Sequence, residues 1–165
     1  MKTSIVFAVF LSCFVVGQMA SEIPEKFFGR FTLDKSENFD EFLAAKGVSW
    51  FVRQMIKLAS VTKVLEKNSV GGKYNLENLT SKKNTKYEGW ELGKTFQAEG
   101  LDGEQHKITF NFKDGTLTEH HIRLNEPDTS AETYHYTIEN DQLVMKMVNN
   151  GITCRRWFKR SQAKK

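Results

Sequence analysis

The chain has 165 residues, a net charge of +4 from 24 Lys and Arg against 20 Asp and Glu, and 13 Phe within a hydrophobic content of 39%. That length suits one domain, large enough for a true core or an enclosed cavity. The basic excess is mild and its residues are scattered among acids, which permits weak attraction to anionic surfaces but excludes a dedicated nucleic-acid stripe.

Residues 1–20 read as a secretory signal peptide. A short basic start, Met1-Lys2, precedes an apolar run, Ile5–Val16, and small residues follow at Gly17, Ala20 and Ser21. The run is shorter than the roughly 20 residues a membrane span needs. Residues 21–165 are then one exported domain. Cys13 leaves with the leader, so Cys154 stands alone and should be a buried, inert thiol.

In the mature chain, Lys26–Asp34 reads as a strand after the Pro24 turn. Ser36 or Asn38 can cap a helix starting near Phe39, whose stripe is Phe39, Phe42 and Leu43, and Gly47 ends it. Ser49 can cap a second helix, Trp50–Ser60, with Phe51, Met55 and Leu58 or Ala59 on one side and Arg53 and Lys57 nearer water. From Val61 onward the chain alternates in short runs: 61–68, 73–79, 82–91, 95–99, 106–113, 116–124, 131–139, 142–148 and 152–160. Asp102-Gly103, Asp114-Gly115, Asn140-Asp141 and Asn150-Gly151 mark turns between them. Together these predict an all-β fold: a ten-stranded up-and-down antiparallel barrel, lipocalin-like, with a helix-turn-helix lid between strands one and two. Such a meander removes its edges by closing on itself, and ten strands leave room for a cavity.

The last strand carries the chemistry. Alternation puts Ile152, Cys154, Arg156 and Phe158 on one face, so Arg156 is a cation pointing indoors. A buried guanidinium needs an anion or several acceptors, from the protein or from a ligand. Glu119, His121 and Arg123 share a face with Leu117, which is either the cavity or the solvent side. His120 and His121 point to opposite faces and cannot jointly hold a metal, so no metal site is expected. Asn78-Leu79-Thr80 is a glycosylation sequon, unusable if Asn78 faces a cavity with Leu76. Nucleophile elbows, zinc-protease helices and phosphate-binding glycine loops are absent, so no enzyme activity and no cofactor are expected.

The segments Gly29–Leu33 (GRFTL) and Glu37–Leu43 (ENFDEFL) resemble the N-terminal signature of the intracellular lipid-binding proteins, the fatty-acid-binding protein family. Val52–Met55, Val64–Asn68 and Leu143–Met147 are similar to it as well, and with the leader the pattern is closest to the exported members of nematodes. The resemblance implies a barrel of the fatty-acid-binding protein type with a long-chain fatty acid, or a related small lipid, as ligand and no cofactor. In the family an Arg-x-Tyr pair on the last strand holds the ligand carboxylate, often helped by a second Arg two strands earlier. Arg156 falls on the first Arg, Phe158 on the Tyr and Tyr136 on the second Arg. The Tyr136 hydroxyl is expected to donate to the carboxylate beside Arg156, with Arg123 the next candidate anchor. Phe39, Phe42 and Leu43 fall on portal-helix positions that touch the hydrocarbon chain. The turn at Ser69–Lys73 reads as long and beside the portal, and Asn125–Ser130 also runs long. The implied protein is a secreted, monomeric carrier that touches anionic membranes transiently through Lys46, Arg53 and Lys57 and meets no nucleic acid. A retinoid carrier fits the same logic. A basic extracellular polyanion-binding module is the rival from another class, and salt dependence separates it, because phosphate binding falls steeply with salt.

Overall fold

The computed structural model describes residues 22–127 and 130–162. The expected leader, residues 1–20, and the last residues of the chain lie outside the described residues. The first described element differs from expectation: Glu25–Phe27 is a single 3₁₀ turn after Pro24, and strand β1 begins only at Gly29 (Gly29–Glu37). Helices α1 (Phe39–Ala45) and α2 (Trp50–Lys57) follow. The remaining strands are β2 (Val61–Lys67), β3 (Tyr74–Thr80), β4 (Thr85–Trp90), β5 (Thr95–Glu99), β6 (Gln105–Lys113), β7 (Thr116–Arg123), β8 (Glu132–Glu139), β9 (Gln142–Asn149) and β10 (Ile152–Ser161).

The ten strands form one antiparallel sheet in the order β4-β3-β2-β1-β10-β9-β8-β7-β6-β5. Pairing of β1 with β10 rolls the meander into a barrel. The seam lies between β4 and β5, which are consecutive in sequence but not hydrogen-bonded to each other. Aromatic side chains bridge that seam: Tyr87 of β4 meets Phe96 of β5 with ring centroids 5.8 Å apart.

Three tight turns follow the predicted chemistry. Asp114-Gly115, Asn140-Asp141 and Asn150-Gly151 each place both residues at positive φ, the requirement of the type I′ hairpins that match strand twist. Asp102-Gly103 behaves differently. It sits in a longer loop after β5, where the Asp102 carboxylate accepts from the Glu104 amide (3.1 Å) and pairs with His106 (3.0 Å). Its side-chain bonds, not a two-residue hairpin, set that loop's shape.

The core is asymmetric along the barrel. Phe27, Phe31, Ile108, Phe110 and Phe158 are fully buried. Trp90 stacks on Phe110 at 3.9 Å, and Phe27 meets Phe112 edge-on at 5.5 Å. These aromatics plug the end away from the helices and leave the helix end hollow. The Asn68–Lys73 turn lies at the plugged end, because β2 leaves the helices at Val61 and runs a full strand length away. It is therefore not beside the portal, as the sequence suggested, whereas the 124–131 connection borders the cavity mouth through Glu126 and Ser130.

Candidate ligand-binding site

The hollow is a cavity of about 740 Å³, within the size range of small-ligand sites. Its roof includes Phe42, Leu43, Val48 and Ile56 from the helical lid. Phe42 and Leu43 thus line the cavity. Phe39 is not on the cavity wall. Asn38 takes a left-handed conformation (φ 53°) and, instead of capping α1, donates its side-chain amide to the Thr153 carbonyl. That contact anchors the start of α1 to β10, and the Phe39 ring lies 4.1 Å from the Arg156 guanidinium.

Arg156 points indoors, as alternation requires, and is 8% exposed. A bulge in β1 between Leu33 and Lys35 brings Ser36 opposite it, and Nε donates to Ser36 Oγ (3.1 Å). Phe158 flanks it with a centroid at 5.8 Å. No carboxylate pairs with Arg156 among the described residues. Stacking on two rings offsets part of the burial cost, yet burial still draws the guanidinium pKa down to about 10. It remains charged at neutral pH. The open cavity is walled by other residues, with Arg156, Tyr136 and Phe158 behind its surface.

What crosses the lumen is a polar belt. On one side β7 and β8 supply Glu119, His121 and Tyr136, so the Leu117 face of β7 is the cavity side. Glu119 is 2% exposed; the Tyr136 hydroxyl donates to one of its oxygens (2.6 Å) and His121 Nε2 to the other (2.7 Å). Burial alone would raise its carboxyl pKa, but the bond and charge of His121, the charge of Lys63 and the Tyr136 bond hold it at about 2. On the other side, β2, β3 and β4 bring Lys63, Asn78 and Thr85 into one row. Lys63 Nζ donates to Asn78 Oδ1 (2.6 Å), and Asn78 Nδ2 donates to Thr85 Oγ1 (3.0 Å). The two halves meet where the Lys63 ammonium lies 5.2 Å from the Tyr136 ring centroid. Burial pushes the Lys63 pKa down, Glu119 pulls it up, and Arg156 adds to the depression.

Two expectations are corrected here. Tyr136 does not hold a proton ready for a ligand, because a phenol has one proton and Glu119 takes it. Arg123 is not a spare anchor: it lies at the cavity mouth, bonded through Nε and Nη2 to Asp102 (3.0 and 2.8 Å) and through Nη1 to Glu126 (2.7 Å). Asn78 is 3% exposed and doubly bonded, so its sequon cannot carry a glycan on the folded barrel. Burial pushes the Cys154 thiol up to about 11, which makes it inert. Among the described residues no cluster of ligands could hold a metal. Lys63 escaped the sequence reading, although the signal was available: Val61, Lys63 and Leu65 share one strand face, the same pattern of a lone cation among apolar residues that singled out Arg156.

No protein-family model matches the chain. A Caenorhabditis elegans protein, fatty acid-binding protein homolog 3, is 78% identical over 159 residues, 95% of this chain and 96% of that protein. The chain belongs to the fatty-acid-binding protein family. The Ascaris suum fatty acid-binding protein homolog is 50% identical over 145 residues, covering 86% of this chain and 88% of its own length. Among solved structures, As-p18, described as an extracellular fatty acid binding protein, superposes with a TM-score of 0.83 at 48% identity, over 86% of this chain and all of that one. The fatty-acid-binding protein barrel and its two-helix lid are therefore the expected architecture, here with a buried Lys–Glu–His–Tyr belt in the lumen.

The lid departs from expectation in one respect. Apart from Ile56, the large apolar residues of α2 face outward: Trp50 and Phe51 are 66% and 69% exposed, and Leu58 at its C-cap is 82% exposed. The cations of the lid are paired. Arg53 donates to the Val48 carbonyl (2.9 Å) and lies 3.3 Å from Asp40, Lys57 lies 3.4 Å from Asp40, and Lys46 pairs with Glu132. Helical periodicity reports that a helix has two unlike faces; which one meets solvent is set by its partners, here Asp40 of α1 and the small contact made by Ile56.

Proposed function

We propose that the protein is a secreted carrier that holds one long-chain fatty acid in the barrel lumen. The carrying observation is charge. Among the described residues, two cationic side chains, Lys63 and Arg156, are buried around the lumen against one carboxylate, Glu119. Cations outnumber carboxylates there, an excess that an anionic ligand offsets. Each methylene leaving water contributes about 0.8 kcal/mol, so the acyl chain supplies most of the affinity while the cations select the head group. Membership of the family supports the same ligand, and the leader pattern of residues 1–20 supports export. Protein taken from its natural source, denatured and extracted, should yield about one long-chain fatty acid per chain by mass spectrometry, the load that a lumen of about 740 Å³ suits. An empty extract from a well-folded barrel would count against the proposal.

Delivery runs through the lid. Trp50, Phe51 and Leu58 form an exposed apolar edge on α2, and Leu101 and Val148 at the cavity mouth are exposed too. An amphipathic helix with such a face lies in the membrane interface. The lysines and arginine add less than the sequence suggested, since Asp40 and Glu132 offset two of their three charges. Trp50→Ser, Phe51→Ser and Leu58→Ser together should slow fatty-acid transfer to vesicles about tenfold or more, with equilibrium affinity unchanged. A transfer rate that ignores these changes but collapses with added salt would assign docking to the cations instead.

A further inference from the structure

Lys63 has more hydrogen-bonding capacity than the protein uses. Its ammonium is buried and forms part of the open cavity wall. Of its three N–H donors one is bonded, to Asn78 Oδ1, and no carboxylate lies within ion-pair distance among the described residues. Glu119, the nearest anion by electrostatic influence, has each of its oxygens engaged by another donor. The amide of Asn78 is itself fixed through Thr85, so the ammonium is aimed rather than loose. Two free N–H donors, held in place at the cavity wall, are a preorganised anion site.

We infer that Lys63 is a ligand-binding residue: its ammonium receives the fatty acid's carboxylate from the cavity side, as a second cation beside Arg156. This rests on the fatty-acid reading above. The arrangement divides the work between the two strands that flank β1. Lys63 comes from β2 and meets the head group directly. Arg156 comes from β10 and lies behind the ring of Phe39. Asn78, which also lines the cavity, positions the lysine through its Oδ1.

The competing role for Lys63 is to balance the charge of Glu119, and a paired substitution separates the two. In Lys63→Met the lumen loses its excess positive charge. In Lys63→Met with Glu119→Gln the excess is the same as in the unaltered protein, and both buried charges are gone, which favours folding. Affinity for palmitic acid and for the matching sixteen-carbon alcohol is measured by displacement of a fluorescent fatty-acid probe, after thermal unfolding shows each variant folded. The expected result is an acid affinity about tenfold or more lower in both variants, with the alcohol changed by less than about threefold. Recovery of acid affinity in the double variant would make Lys63 a counter-ion only and overturn the inference. Equal losses for acid and alcohol would make it a packing residue and overturn it too. Absence of acid binding by the unaltered protein would overturn the fatty-acid reading itself, and this inference with it.

Discussion

Glu119→Ala should destabilise the unliganded protein by about 3–5 kcal/mol, the range for breaking a buried charge network from one side. For a domain of this size that lowers the thermal midpoint by about 10 °C or more. The carboxylate is 2% exposed and serves Tyr136 and His121 directly and Lys63 through its charge. Alanine leaves a phenol, an imidazole and an ammonium buried around a vacated site. Glu119→Gln retains an acceptor of the same shape and should cost clearly less. The pH profile gives a second readout. The folded carboxyl stands at about 2, against an ordinary value of 4.5. A carboxyl lowered on folding stabilises above its unfolded value, and that stability drains as pH falls from about 4.5 towards about 2. Urea unfolding across that window should show the loss in the natural protein and a flatter acid limb in Glu119→Gln. Identical acid limbs would mean the carboxylate is not held ionised by its neighbours.

Arg156→Gln should lower fatty-acid affinity by about ten- to a hundredfold and leave the matching alcohol nearly unchanged, the worth of about 1.5–3 kcal/mol for a charge-assisted bond. The same change should not destabilise the empty protein. Burial draws the guanidinium pKa to about 10, below its ordinary 12.5. A base whose pKa falls on folding penalises the fold while it is charged, so the penalty persists below about pH 10 and fades above it. Glutamine removes the penalty and can still bond Ser36, at the loss of stacking on Phe39 and Phe158. Affinity lost together with stability, for acid and alcohol alike, would make Arg156 structural. Arg123 would not replace it as the anchor, because Asp102 and Glu126 already occupy its donors.

Helices and strands were legible because their patterns are local. The type I′ turns at 114–115, 140–141 and 150–151 need residues that tolerate positive φ, and Asp, Asn and Gly are there. Strand boundaries came out within a few residues except at Lys26–Phe28, where Pro24 starts a 3₁₀ turn instead of an extended run. The Asp102-Gly103 pair misled for a related reason: the aspartate's side chain has partners outside the turn, His106 and the distant Arg123, that a dipeptide does not reveal.

By itself, the sequence determined that the chain is a ten-stranded meander with a two-helix insertion, and that Arg156 and the Glu119 face of β7 are polar groups aligned with apolar neighbours. Alternation carries that information because it is a property of one strand at a time. Only the tertiary structure decided what those groups meet. Glu119 finds Tyr136 one strand away, Lys63 reaches the Tyr136 ring from the opposite wall, Phe39 covers Arg156 from the lid, and α2 turns its apolar face outward. Parity along a strand says which side a residue takes. It does not say how deep in the lumen the residue lies, or what stands across from it, and those two distances are what make a binding site.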